Sequence, residues 1–343
     1  MTPAPPVRRG RRACGALAAA ALATLLSACA VDPLPAPRPA AEDSVTPVLG
    51  GDQLDAVLEP VATALAAGDA SLSYRDLEPA VAGPALEQRA GAYLMQTRVP
   101  ESTYTLPLGT ERLQDLVPAE QDWPRTVLTV TRASADDQFP DLVLLTQAGP
   151  RDPYVLTAYA PMLPGVTLPI TAPLREGVPV PPVDEQGDLL MSPADAATQY
   201  ADVLSAGEAS PFAESFADDT FSAQVVAVQD AERAALSTTC AGCFTYSADH
   251  VVRDGQTWAF GTEEGGAVVL TVLTGANALR VAAEGSRATL NPEYAALAGA
   301  ETATQGADFS YVEVVGLHVP PASAGAPVEV LAAQRVPLSG TAL

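Results

Sequence analysis

The chain predicts an α+β protein made of two tandem units, each with helices first and an antiparallel sheet after them. Amphipathic segments of 3.6-residue period open residues 51–96 and again residues 192–236, and β-branched or aromatic runs close each half. Ala67-Gly68-Asp69-Ala70-Ser71 also recurs 139 residues later as Ala206-Gly207-Glu208-Ala209-Ser210, in each case near the end of a helical pattern. Strands that follow the helices rather than alternating with them imply α+β layers, not βαβ crossovers.

The first segment reads as an export signal. Arg8, Arg9, Arg11 and Arg12 precede an apolar run over 13–25, and small residues follow just ahead of Cys29. Leu26-Ser27-Ala28-Cys29 resembles a lipobox, the motif cut before a cysteine whose sulfur already carries diacylglycerol. That resemblance implies a signal peptide over 1–28 and lipid on Cys29. It places the protein on the extracytoplasmic face of the cell membrane. The apolar run falls short of the roughly 20 residues a spanning helix needs. Ala13, Cys14 and Gly15 stand where apolar residues should follow a twin-arginine pair, which favours Sec export. Two acyl chains, each contributing about 0.8 kcal/mol per CH₂, hold a protein stably.

Residues 29–50 carry Pro33, Pro35, Pro37, Pro39 and Pro47 among alanines, the composition of an extended tether. The first unit covers 51–173. Its opening helix is expected between Asp52 as N-cap and Gly68 as C-cap, with Leu54, Val57, Leu58, Val61 and Leu65 on one face. Helical patterns continue over 74–81 and 84–96, and strands are expected at 126–131, 142–146 and 154–159. Residues 174–190, with Pro179, Pro181 and Pro182 before Asp184-Glu185-Gln186-Gly187-Asp188, read as a linker. The acidic stretch lacks the glutamate that closes an EF-hand loop.

The second unit covers 191–343. Ser192-Pro193 is a cap followed by proline at the first helical position, and Tyr200, Val203 and Leu204 mark the buried face. Helix is expected again at 212–216 and 222–236. Segments 251–253 and 257–260 flank Asp254-Gly255, which reads as a hairpin turn; strands at 267–273, 309–315 and 328–336 follow. The stretch from Tyr200 through Gly207, Glu208, Phe212, Phe216, Ala217, Asp218, Asp219 and Phe221 resembles the opening of NTF2-like, SnoaL-type domains, where a helix ends in Ala-Gly-Asp before an acidic turn. The first half is similar around residues 66–71 but lacks the phenylalanines and paired aspartates. The resemblance implies two cone-shaped domains, and in enzymatic members an Asp-His pair or similar acid-base group inside the cone.

Composition narrows the function. Residues 1–28 hold four arginines and no acids, so 18 basic and 41 acidic residues become 14 and 41 after cleavage, a net −27. Such a field disfavours nucleic acid and offers no basic patch for anionic headgroups. Lysine is absent and alanine abundant, which together with the lipobox resembles actinobacterial lipoproteins. With Cys14 removed and Cys29 lipidated, Cys240 and Cys243 remain as Cys-Ala-Gly-Cys, and in an oxidising compartment a disulfide is expected. A thioredoxin-like redox pair would open a helix after a strand; here a helix ends near Leu236 and a strand begins at Phe244.

No catalytic template fits. The sequence has no nucleophile elbow, zinc helix, phosphate loop or dinucleotide turn, and no cofactor or metal is expected. His250 and His318 are the only histidines, too few for a zinc site with one Cys pair. Asp136-Asp137 with Asp141 reads as a charged turn between strands. Two functions of different class follow. One is a non-enzymatic binding or scaffold lipoprotein of the envelope that takes a protein, peptide or small ligand. The other is a SnoaL-like hydrolase or isomerase using His250 or His318 with an aspartate such as Asp219. A histidine lining a pocket beside a carboxylate would favour the enzyme.

Overall fold

Helix α1 (Gly51–Ser71) buries Leu54, Leu58, Val61 and Leu65, a stripe spaced by three and four residues. The computed structural model describes residues 47–343 apart from 106, 120, 121 and 135–137; the signal segment, Cys14, Cys29, most of the tether and Asp136-Asp137 lie outside the described residues. The cap of α1 is Gly50, whose N–H donates to Gln53 Oε1 at 2.8 Å, and not Asp52. The helix runs past Gly68 and ends at Leu72, the one non-glycine residue of the left-handed region among the described residues (φ 52°). Gly68 is glycine for a different reason: a Cβ there would meet the Leu77 side chain and sit 2.8 Å from the Tyr93 hydroxyl. Gly207, its counterpart in the repeat, does end its helix at φ 59°. The matched pentapeptides therefore do different local work.

Residues 74–81, expected as helix, form only the short turn Tyr74–Leu77. Helix α2 (Gly83–Arg98) follows, then strands β1 (Arg112–Leu116), β2 (Arg125–Thr131), β3 (Asp141–Gln147) and β4 (Val155–Pro161), an antiparallel meander in that order. β1 reads Arg-Leu-Gln-Asp-Leu, too polar for the run-based signal that found its neighbours.

The second half repeats the plan. Ser192 Oγ accepts from the Asp195 N–H at 3.0 Å and starts α3 (Pro193–Ala206). Asp219 Oδ1 accepts from the Ser222 N–H at 2.8 Å and starts α4 (Thr220–Thr239). The segment expected as helix at 212–216 is a single turn, Ala213–Ser215. Strands β5 (Phe244–Gly261), β6 (Ala267–Val281), β9 (Gly306–Val319) and β10 (Glu329–Ala342) pair antiparallel in the order β10-β9-β6-β5. The excursion between β6 and β9 holds β7 (Ala288–Thr289), α5 (Pro292–Ala298) and β8 (Thr302–Ala303). Asp254-Gly255 is not a hairpin. Both flanks pair with β6, Val252 opposite Leu273 and Thr257 opposite Thr271, so the extra residues bulge out of one long strand. The long apolar β6 offers both flanks a partner that they do not offer each other.

Alternation along the strands builds the layers. Leu128, Val130, Leu142, Leu144 and Ala158 of the first sheet meet Val268, Leu270, Val272, Val312 and Val314 of the second in one core. The opposite face of the first sheet, with Val127, Val143 and Leu145, is covered by α1 and α2. Val269, Leu273, Val315 and Leu317 of the second sheet face α3 and α4. The order is helices, sheet, sheet, helices, and residues Val45–Leu343 form one compact unit.

The proline-rich stretch over 174–190 is packed into this unit rather than passing free between halves. Val178 is buried and its N–H donates to Val117 O at 2.9 Å; the Gly261 N–H donates to Pro179 O at 2.8 Å, and the Leu190 N–H to Pro320 O at 2.9 Å. Val178 and Leu189 supply the burial that its composition masks. Asp184, Glu185, Gln186, Gly187 and Asp188 are exposed, as a solvated acidic turn should be.

Candidate functional site

The helix-facing side of the second sheet carries a row of polar groups in an otherwise apolar layer. His250 stands opposite Gly275 on β6, Gly275 opposite Tyr311 on β9, and Glu313 opposite Arg335 on β10. Residues two apart share a face, so His250, Gly275, Asn277, Tyr311, Glu313 and Arg335 all point toward the helices. Gly275 makes the row possible. A Cβ there would sit 2.7 Å from Glu313 Oε1, so the carboxylate occupies the space a side chain would take.

Glu313 joins the ends of the row. Its Oε1 lies 3.2 Å from Arg335 Nε and 3.4 Å from His250 Nε2, with the Glu313 and His250 side chains fully buried. Neither contact has hydrogen-bond alignment, so both Glu313 oxygens, His250 Nε2 and Arg335 Nε keep unused hydrogen-bonding capacity. At the other side of the imidazole, Nδ1 lies 3.2 Å from Ser205 Oγ on α3. Ser205 also accepts from the His250 backbone N–H at 3.0 Å and donates its hydroxyl hydrogen to Ala201 O at 2.9 Å. That hydrogen is already engaged, so His250 is not placed to take it.

The surroundings of Ser205 oppose acyl transfer for a second reason. The groove over it, about 760 Å³, runs along α3 from Ala194 to Ser205 and is bordered by Asp184, Asp202, Asp249 and Asp254 together with His250 and Arg253. Four carboxylates outnumber the one guanidinium, Arg253, which is already paired with Glu87, so a developing oxyanion there would meet a net negative wall.

Beyond Arg335 the row opens into a cleft of about 380 Å³ between the second sheet and α4. Tyr104 of the first half closes one wall, Asn277, Tyr294, Tyr311 and Arg335 form the floor, and Phe221, Val225 and Val228 of α4 form the roof. The Arg335 guanidinium stacks 3.7 Å from the Tyr311 ring centre. With its amide oxygen turned to the hydroxyls, Asn277 accepts from Tyr246 and Tyr294 at 2.9 Å each and from Arg335 Nη2 at 3.3 Å. Tyr104 donates to Glu293 Oε1 at 2.5 Å. Burial pushes the Tyr104, Tyr246 and Tyr311 phenols up, aided by Glu293 for Tyr104 and by Tyr294 for the other two, so they remain neutral donors. His250 and Glu313 do not line this cleft.

The remaining sequence candidates are dispersed. Asp219 caps α4 and accepts from the Tyr200 hydroxyl at 3.1 Å; it does not meet either histidine. His318 faces the other side of the second sheet, 3.9 Å from Glu329 Oε2 on the neighbouring strand, and burial lowers its pKa against the pull of Glu329 and Glu264. The sulfurs of Cys240 and Cys243 stand at disulfide distance, Cα atoms 5.4 Å apart, where α4 gives way to β5. Among the described residues no group of three or more His, Cys, Asp or Glu could hold a metal ion, and no helix is long and apolar enough to cross a membrane.

A family model described as Domain of unknown function (DUF8094) matches residues 45–339, both halves together. The chain belongs to this family. No curated protein and no solved structure matches it. The DUF8094 region thus takes in the cleft, the buried row and the inter-sheet core as one matched span.

Sequence reasoning missed Glu313, Arg335, Asn277, Tyr294 and Tyr311. One signal was present: Glu313 is the lone charge inside Tyr-Val-Glu-Val-Val-Gly-Leu, an apolar run that should hold none without a partner. Asp141 was misread. It does not belong to a solvated turn but lies buried at the start of β3, near the buried Arg89 of α2, which itself pairs with Asp69 at 3.0 Å. Burial raises the Asp141 carboxyl to about 7, against the lowering effect of Arg89. Its pKa is higher folded than unfolded, so its contribution is fully present below about pH 4 and is lost as pH rises through about 7. Asp141→Asn should raise stability at pH 8 by about 1–3 kcal/mol and leave it little changed at pH 4. Urea melts of both proteins at the two pH values check this.

Proposed function

We propose that this DUF8094 protein is a lipid-anchored binding protein of the cell envelope, not an enzyme, built from two NTF2-like halves. The observation that carries the binding reading is the separation of chemistry from access. The His250 and Glu313 side chains are fully buried and stay out of the tyrosine cleft, His250 bordering only the acidic groove over Ser205, whereas that cleft is lined by hydroxyls, amides and aromatic rings around one guanidinium and the Glu293 carboxylate. Clefts of this size and mixture are the usual form of a small-ligand site. The NTF2-like reading draws support from the helix-then-antiparallel-sheet order in both halves and from helices covering one face of each sheet.

The anchor follows from the lipobox resemblance. Mass spectrometry of the membrane fraction should find a mature protein beginning at Cys29 with diacylglycerol attached, and Cys29→Ala should shift the protein out of the membrane fraction. An unlipidated N-terminus in the wild type would refute anchoring. For the binding reading, native mass spectrometry after incubation with small molecules extracted from the envelope should show a retained adduct that Gln224→Trp, at the cleft mouth, removes. Turnover of an extracted compound that His250→Gln abolishes would establish the hydrolase or isomerase reading instead.

A further inference from the structure

The tyrosine cleft does not end at α4. Phe221, Gln224 and Ala333 also border a second depression of about 480 Å³ beside β10, whose walls are mainly Phe139, Pro161, Met162, Leu163 and Pro164, with Gln138, Asp141 and Thr220 at their margin. The two share a border but differ in chemistry. One end presents amides, hydroxyls, a guanidinium and the Glu293 carboxylate, and the other is mainly apolar. Phe139 is 46% exposed there, a large apolar side chain at the depression's rim.

Charge decides what kind of head the polar end suits. Arg335 is the cation on the floor, and Glu313 lies 3.2 Å behind it, so the pair cancels. Glu293 stands at the wall with Tyr104 on one oxygen. An anionic head would approach Arg335 but meet Glu313 and Glu293 at close range, inside a protein with a large acidic excess. A cationic head would have to displace or abut Arg335, which already covers the Tyr311 face. An uncharged head with several hydrogen-bonding groups meets neither penalty. It can also use the Arg335 Nη1 hydrogens, for which no protein acceptor is found among the described residues.

From this juxtaposition we propose that the two adjoining depressions together take a neutral amphiphile, its hydrogen-bonding head among Asn277, Arg335 and the tyrosines and its hydrocarbon part along Phe139, Met162 and Leu163. The proposal rests on the binding-protein reading and names its ligand class. Calorimetric titration of the full chain carrying Cys29→Ala, below micellar concentrations, tests it with four probes: octyl glucoside, octanoate, octyltrimethylammonium and glucose. Octyl glucoside should bind at one saturable site at least tenfold more tightly than the two charged octyl probes, with glucose undetected. Phe139→Asp and Gln224→Trp, both surface changes, should each weaken octyl glucoside at least tenfold while leaving the thermal midpoint within a few degrees. Equal binding of the three octyl compounds, or binding indifferent to both variants, would overturn the proposal. Absence of octyl glucoside binding would also overturn it; in that case an envelope-extract adduct removed by Gln224→Trp would show that the binding function survives with a different ligand class.

Discussion

Glu313→Ala should destabilise the protein by about 3–5 kcal/mol, the largest loss expected from any single change in the buried row. The cost comes from what is left behind. Arg335, 15% exposed and stacked on Tyr311, would lose the carboxylate that neutralises it, and His250 would face a void over Gly275. The double variant Glu313→Leu with Arg335→Met removes both charges and fills the space, so it should recover most of that loss. Chemical denaturation of the wild type, Glu313→Leu, Arg335→Met and the double variant closes the cycle, with Glu313→Ala measured beside it. If the double variant is as unstable as Glu313→Ala, the row is held by shape and not by charge.

Leu270→Ala should cost about 2–5 kcal/mol, because the side chain is fully buried where the two sheets meet. The informative readout is where that loss is felt. Trp123 precedes β2 in the first half, and Trp258 lies on β5 opposite Leu270 in the second. In Trp123→Phe and Trp258→Phe backgrounds the remaining tryptophan reports one half at a time. A shared core predicts that Leu270→Ala lowers both midpoints together. A shift confined to Trp258 would mean that the halves unfold separately.

The sequence exposed the elements whose burial pattern is one-sided or strongly apolar. α1 with Leu54, Leu58 and Val61, the Ser192-Pro193 start of α3, and the centres of β2, β3, β4, β6, β9 and β10 were all legible. Elements held by partners rather than by their own pattern were not. β1 is polar and exists because β2 offers it an edge; α5 and the β7–β8 pair depend on packing of Leu290, Tyr294 and Leu297 against Phe309 and Tyr311. The Asp254-Gly255 bulge had every local mark of a turn, and only the length of β6 overrides it.

The candidate site was less legible still, for a physical reason. The buried row and the cleft floor lie on four strands and an inserted helix, far apart along the chain, and cross-strand register brings Glu313 over Gly275. A pattern read along one strand can show that a glutamate is out of place, but not which arginine and histidine receive it. His250 was found as a residue type with chemical potential, and its partner was sought among nearby aspartates when it was a glutamate two strands away.

The packed crossover over 174–190 also bears on motion. Its backbone is bonded to Val117 of the first half and to Gly261 and Pro320 of the second, so the two sheets are laced together on the flank as well as glued at the centre. A hinge between halves is thereby removed as a route into the cleft. The freedom that is left belongs to α4, a twenty-residue helix that buries only Phe221, Val225 and Gln229. Traffic through the roof then becomes a matter of one helix lifting, and its amides should exchange with solvent sooner than those of β6 and β9 beneath it.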